Sequence, residues 1–219
     1  MDPHAVDLTT LRAAVLHGRR GASSDYDLHP ELRAALSPGR ALRQAAVLCP
    51  VVDRGDGLRV ILTRRADHLR QHAGQVAFPG GRKDPGDPSL RDAALREAHE
   101  EIGLAPDRVD VLGEIDGHET VTGFSVTPFV ALVDPRFAPE PDPSEVAEVF
   151  EPPLAFLMNP ANHRKDTRMV KGVKRSFYAM PWEGRYIWGA TARILVGLSE
   201  RVASVSERNG TAWQVGEHG

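Results

Sequence analysis

Three glutamates, Glu97, Glu100 and Glu101, sit at spacing i, i+3, i+4 in the run "LRDAALREAHEEIGL", 90–104. On a helix that spacing places all three carboxylates on one face, a few ångströms apart. Like charges so close repel one another, and the negative pole of the helix C-terminus adds to the cost. Two arrangements would relieve it. A hard divalent cation, Mg2+ or Mn2+, takes oxygen ligands and is neutralised by clustered carboxylates. Alternatively, the acids form a charged face paired with arginines and lysines of the same chain. The glycines upstream extend the first reading: a loop with no side chain at Gly80 or Gly81 can bring a backbone carbonyl to the ion and leave room for a bulky ligand. Arg96, next to Glu97, can hold a carboxylate in place through a bidentate pair.

These residues need elements to position them. The apolar stripe Leu90, Ala94, Leu95, Ala98 and Ile102 predicts a helix over 89–102 with one face on a core. Asp87 is the expected N-cap, Pro88 the first helical residue, and Gly103 the residue just past the C-terminus. Upstream, "AAVLCPVVD" and "LRVILTRR" read as strands joined by the turn "RGDG". Further strands are predicted over 75–78, 109–115, 125–133, 168–173, 176–180 and 185–187. Helices are predicted over 8–16, 30–36, 144–158 (interrupted by "EPP") and 189–205, and "FAPEPDPS" is a loop. The result is an α/β fold, a mixed sheet covered by helices. It divides into an N-terminal helical extension at 1–43, one domain at 44–205, and a tail at 206–219 where the pattern is lost.

Bulk properties exclude several classes. A chain of 219 residues, 41% hydrophobic, is long enough for one good core but crowded for two. The formal charge of -3 does not draw it to nucleic acid or to an acidic membrane. The basic segment "NHRKDTRMVKGVKR", 162–175, lacks interleaved aromatics and reads as a solvated hairpin. Trp182, Tyr186 and Trp188 read as core or interface residues. Cys49 is the only cysteine, which excludes an intramolecular disulfide and a cysteine zinc site. No apolar run approaches the roughly 20 residues of a membrane span, and the start "MDPHAVDLTTLR" lacks the order of a secretory signal, so the expected location is cytoplasmic.

At this point a resemblance becomes specific. "REAHEEIGL", 96–104, matches the second half of the Nudix box, and Gly81 resembles its leading glycine. The upstream half departs from the general pattern: the acid six residues after Gly81 is Asp87 rather than Glu, and one extra residue separates it from Arg96. That departure resembles the variant box of the coenzyme A pyrophosphatase branch, "GGxxDxxD". "LTRRADHLRQHAGQVAFPGGRKD", 62–84, is similar to the additional motif of that branch, with one small mismatch in phase, as is "IWGATARIL" to a segment common there. The likeness covers about 47–198.

The resemblance implies an α/β/α sandwich with a mixed sheet, and hydrolysis of a nucleoside diphosphate linked to another group with Mg2+ or Mn2+. It makes Glu97, Glu100 and Glu101 the metal-binding acids, the Gly81 carbonyl a further ligand, and Arg96 their orienting partner. Glu100, Glu145 and Glu119 are all candidate general bases. Of Arg64, Arg65, His68, Arg70 and His72, either some grip substrate phosphates, a 3′-phosphate included, or Arg64 and Arg70 pair with Asp67, Asp84 or the helix glutamates while His68 and His72 face solvent. The expected reaction cuts coenzyme A or its derivatives into 3′,5′-ADP and 4′-phosphopantetheine or its acyl form. The alternatives are another nucleoside diphosphate derivative such as ADP-ribose, and a non-catalytic binding or regulatory module. A homodimer through the N-terminal extension is compatible with all three.

Overall fold

The computed structural model describes residues 6–17, 21–35, 39–170 and 172–208. In chain order its elements begin with α1 (Leu8–His17), β1 (Ser23–Ser24), α2 (Pro30–Ala34), β2 (Arg43–Asp53), β3 (Leu58–Val60) and β4 (Leu62–Arg65). They continue with β5 (Val76–Ala77), β6 (Gly80–Arg82), α3 (Leu90–Ile102), β7 (Val109–Glu114), β8 (His118–Glu119) and β9 (Phe124–Val133). The last are β10 (Val146–Phe150), α4 (Leu154–Met158), β11 (Arg164–Val170), β12 (Val173–Trp182), β13 (Arg185–Trp188) and α5 (Gly189–Arg208).

β2 organises the molecule because it is apolar on both sides. Ala46, Leu48 and Val52 enter one core, and Ala45, Cys49 and Val51 enter the other. Such a strand belongs at the centre of a sheet covered on both faces. β9 runs parallel along one edge of β2, while β6 and β3 pair antiparallel with the two ends of its other edge. β7 and β8 add to β9, and β1 adds to β8. Two three-stranded sheets, β10-β4-β5 and β11-β12-β13, complete the β-structure. On one face of the large sheet α3 packs Ala94, Ala98 and Ile102 against Leu48 and Phe129. On the other, α1, α4 and α5 contribute Leu11, Leu157, Leu195 and Val202. This is the α/β/α sandwich with a mixed sheet.

Several local expectations change. The helix expected over 144–158 is confined to α4, because 146–150 is the strand β10, laddered to β4 from Val146↔Arg65 to Phe150↔Leu62. "VAEVF" carries two valines and a phenylalanine, and a ladder partner outweighs weak helical spacing over five residues. The glycines expected in a loop instead form β6, opposite Ala46 and Val47. The N-cap of α3 is Ser89, whose hydroxyl accepts from the Asp92 N–H at 3.1 Å, leaving Asp87 free for another partner. The basic hairpin pairs 164–170 with 173–179, wider than the strands expected at 168–173 and 176–180. α5 extends to Arg208, two residues past the expected start of the tail, and 209–219 lies outside the described residues, as does Leu36 at the end of the second expected helix.

Residues of the 1–43 segment enter the main core. Leu11, Ala14 and Val15 are buried there, and Arg201 of α5 donates to the carbonyls of Ala14 (3.2 Å) and Val15 (3.0 Å) while pairing with Asp116 at 2.6 Å. The buried guanidinium thereby satisfies carbonyls at the C-terminus of α1 that the helix itself leaves open. Leu11→Ala is expected to cost about 2–5 kcal/mol. Urea unfolding checks this, and a loss below about 0.5 kcal/mol would mean that α1 contributes little to the core.

Candidate active site

α3 presents its acids to β6 across a short gap. Glu101 is only 4% exposed, and its Oε2 accepts from the Gly80 N–H at 3.3 Å. Its Oε1 lies 3.7 Å from Nη1 of Arg65. Burial pushes the Glu101 carboxyl up to about 8, the Glu97 charge adds to the shift, and the Gly80 N–H and Arg65 oppose it. Burial also raises Glu97, against the pull of Arg96, with smaller upward pushes from Glu100 and Glu145. Glu97 lies directly over Gly81: a Cβ there would come within 2.6 Å of the Glu97 carboxylate.

Arg96 organises the opposite side. It donates to both carboxylate oxygens of Asp87, Nε to Oδ1 at 2.9 Å and Nη2 to Oδ2 at 3.1 Å. Its Nη1 reaches Glu97 at 3.0 Å and Glu100 at 2.8 Å. The Asp87 bonds hold the guanidinium charged well above its ordinary range, and they hold Asp87 below the usual carboxylate range, with the Asp84 N–H assisting. Asp87 is therefore the anchor of the arginine that steers the helix acids, a role its position in the sequence alone did not reveal. The capping preference of Asp accounts for the N-cap expectation, and Ser89, which takes that duty, releases Asp87 for Arg96.

The structure brings Glu97, Glu101, Gly80, Gly81 and Arg96 together. Glu100 is turned onto Arg96 with a 58% exposed side chain. Glu145 is exposed at the rim, close enough for its charge to raise both Glu97 and Glu101, and among the described residues its carboxylate has no hydrogen-bond or ion-pair partner. Glu119 lies on β8 and pairs with Arg33 at 3.7 Å. Arg64 bonds Asp67 at 2.8 Å and approaches Glu148 at 3.6 Å. Arg70 is exposed, with no such partner among the described residues. His68 meets the Ser144 carbonyl at 3.1 Å, and His72 meets Gln75 at 2.7 Å. Sequence reasoning grouped Arg65 with these cations without singling it out, although it is the one that touches Glu101.

Whether these acids suit a cation can be judged from their own chemistry. Among the described residues, no three His, Cys, Asp or Glu side chains converge closely enough as they stand to hold one ion. The preformed part is the pair Glu97 and Glu101, two half-buried or buried carboxylates raised chiefly by burial, with the charge of neighbouring acids adding to it. A hard cation supplies what the pair lacks, so the donor set fits one.

The NUDIX domain family model matches residues 42–171. The chain belongs to the Nudix family. It is 42% identical over 161 residues to the uncharacterized Nudix hydrolase NudL of Yersinia pestis, an alignment covering 74% of this chain and 80% of that protein, and equally so to NudL of Yersinia pseudotuberculosis. Among solved structures, a Nudix hydrolase from M. Smegmatis, RenU, is similar at 19% identity and a TM-score of 0.44, covering 81% of this chain and 91% of that one. This Nudix hydrolase is thus a pyrophosphohydrolase of a fold that binds small nucleotide substrates, and Nudix hydrolases generally use divalent metal ions. Among the described residues no helix is long and apolar enough to cross a membrane.

Proposed function

We propose that this Nudix hydrolase cleaves the pyrophosphate of coenzyme A or an acyl derivative, releasing 3′,5′-ADP and 4′-phosphopantetheine or its acyl form. The observation that carries the metal-dependent part is the buried carboxylate of Glu101 facing Glu97 under the glycine strand. The resemblance of 62–84 and of the "GGRKDPGD" box to the coenzyme A branch supports the substrate. Arg70 of that motif is exposed and, among the described residues, has no acidic partner, so it can meet a phosphate of the scissile pyrophosphate.

Glu97 and Glu101 would hold Mg2+ or Mn2+, with Glu100 joining once it leaves Arg96 and the Gly81 carbonyl as a further oxygen. The ion would neutralise pyrophosphate oxygens and ease loss of a proton from the attacking water. The chain's own residues do the positioning. Arg96, locked by Asp87, sets the orientation of Glu97 and Glu100. Gly81 leaves beside β6 the space in which the Glu97 carboxylate sits, and Gly80 lets β6 lie close against β2, so the acids stay over the glycine strand. Of the candidate bases, Glu145 is free to accept the water's proton, whereas Glu100 is engaged by Arg96 and Glu119 by Arg33.

Hydrolysis of a panel, with products read by mass, tests the assignment. With Mg2+ or Mn2+ the expected result is 3′,5′-ADP from coenzyme A at a kcat/KM about tenfold or more above that for ADP-ribose, a margin of roughly 1.4 kcal/mol in transition-state binding. A preference for ADP-ribose moves the substrate elsewhere in the family, and no turnover of any member leaves a binding module.

A further inference from the structure

Beside the acid site lies an open groove of about 770 Å³, between the 72–75 turn and the sheet β11-β12-β13. Arg65 links the two: it donates its backbone N–H to the carbonyl of Gln75, which lines the groove, at 3.0 Å, while its guanidinium reaches toward Glu101. Register brings its lining together from three strands. Asp166 lies opposite Phe177, Arg168 opposite Arg175, and Trp188 opposite Ala179, so these side chains share one face of the sheet. Phe177 and Trp188 meet as a tilted aromatic pair, centroids 5.2 Å apart, and the Tyr186 hydroxyl donates to Asp166 at 2.5 Å.

The charges on that face are unbalanced. Arg168 and Arg175 are directly opposed like charges, an arrangement that disfavours the strand pairing. Among the described residues neither has an acidic partner, and Nε of Arg175 is buried without a hydrogen bond. Asp166, the acid closest in register, is taken by Tyr186. Arg168 beside an aromatic wall matches a ligand that has a planar base and a phosphate of its own, because a base stacks on the rings and a phosphate accepts from the fork of a guanidinium.

We propose that this groove binds the nucleotide end of the substrate, with the base against Phe177 and Trp188 and the ribose phosphate at Arg168. The proposal rests on the coenzyme A reading above and adds to it the site that reads the third phosphate. A pyrophosphate alone would leave most of a groove of this size unfilled. The basic hairpin, which lacks aromatics within its own segment, acquires them from Phe177 of β12 and Trp188 of β13.

Calorimetric titration with 3′,5′-ADP and with 5′-AMP, on full-length protein without added metal, reads the groove independently of turnover. Arg168→Ala is expected to weaken 3′,5′-ADP binding about ten- to hundredfold and to leave 5′-AMP unchanged. Trp188→Leu is expected to weaken both. In turnover, Arg168→Ala should bring the ratio of kcat/KM for coenzyme A over 3′-dephospho-coenzyme A close to one. If wild type hydrolyses coenzyme A and Arg168→Ala alters neither that ratio nor 3′,5′-ADP affinity, the groove assignment fails while the activity stands. If wild type does not hydrolyse coenzyme A, the activity assignment fails and the groove assignment with it. Circular dichroism of each variant separates lost folding from lost binding, and Arg168, being exposed, is removable without disturbing the core.

Discussion

Glu101→Gln is expected to lower kcat/KM by about a hundredfold or more, because it removes a charged oxygen from the buried pair that would hold the ion, and electrostatic stabilisation of several kcal/mol goes with it. The fold should survive, and in metal-free buffer above pH 8 the variant should be more stable than wild type. The sign follows from the raised pKa. Burial and the Glu97 charge lift Glu101 from its ordinary value of 4.5 to about 8 in the folded state. The folded protein therefore holds this proton more tightly than the unfolded chain does, and the stability linked to it is full below about pH 4.5 and lost as pH rises through about 8. A neutral glutamine retains the shape and cannot ionise, so the gain over wild type should grow as pH rises from about 4.5 and be complete above about 8, at about 1–3 kcal/mol. Added Mg2+ should reverse the order there, since the ion binds the ionised carboxylates of wild type and thereby stabilises its folded state. Thermal melts at pH 5 and pH 9, each with and without Mg2+, read all four values. A glutamine variant that keeps near-normal turnover, or that gains as much from Mg2+ as wild type does, would remove Glu101 from the metal site.

The parts of this design that were legible in the sequence are those where one residue type serves one purpose. The stripe from Leu90 to Ile102 could only face a core, and the acids opposite it could only be relieved by positive charge, so helix and chemistry were read together. Gly103, with φ of 70°, ends α3 as its type implies. β6 was not legible, because "GGR" has no side-chain pattern to mark a strand. It exists because Gly80 and Gly81 fit against Ala46 and Val47 without obstruction. β10 was hidden by brevity, since five residues carry too few apolar positions to distinguish a period of two from one of 3.6. The groove face was illegible for a third reason. Its arginine, phenylalanine and tryptophan belong to three strands whose register sequence alone does not set, so a segment that read as a polar hairpin acquires its aromatic wall only in the fold.

The two adjacent glycines give the sharpest separation of fold from function. At Gly80, φ is +151°, and an added Cβ would lie 2.5 Å from the Ala46 carbonyl oxygen and 2.6 Å from the Val47 Cα. Both obstacles are backbone of the central strand and cannot give way. Gly80→Ala is therefore expected to cost about 1–3 kcal/mol or more, by opening the β2–β6 ladder, and any loss of activity should track the loss of fold. At Gly81 the backbone is ordinary, and the atoms that a Cβ would meet, at 2.6–2.7 Å, are the carboxylate end of Glu97. A flexible side chain can swing aside at little cost, so Gly81→Ala should keep stability within about 1 kcal/mol of wild type. The Glu97 carboxylate would nevertheless leave its place facing Glu101, and displacement of a reacting or ligating group by about 1 Å can cost about a hundredfold in rate. Urea unfolding together with kcat/KM for both variants should show stability lost at position 80 and activity lost at position 81. If instead Gly81→Ala turns over substrate normally, Glu97 is not required where the structure places it, and the pair it forms with Glu101 is not the metal site.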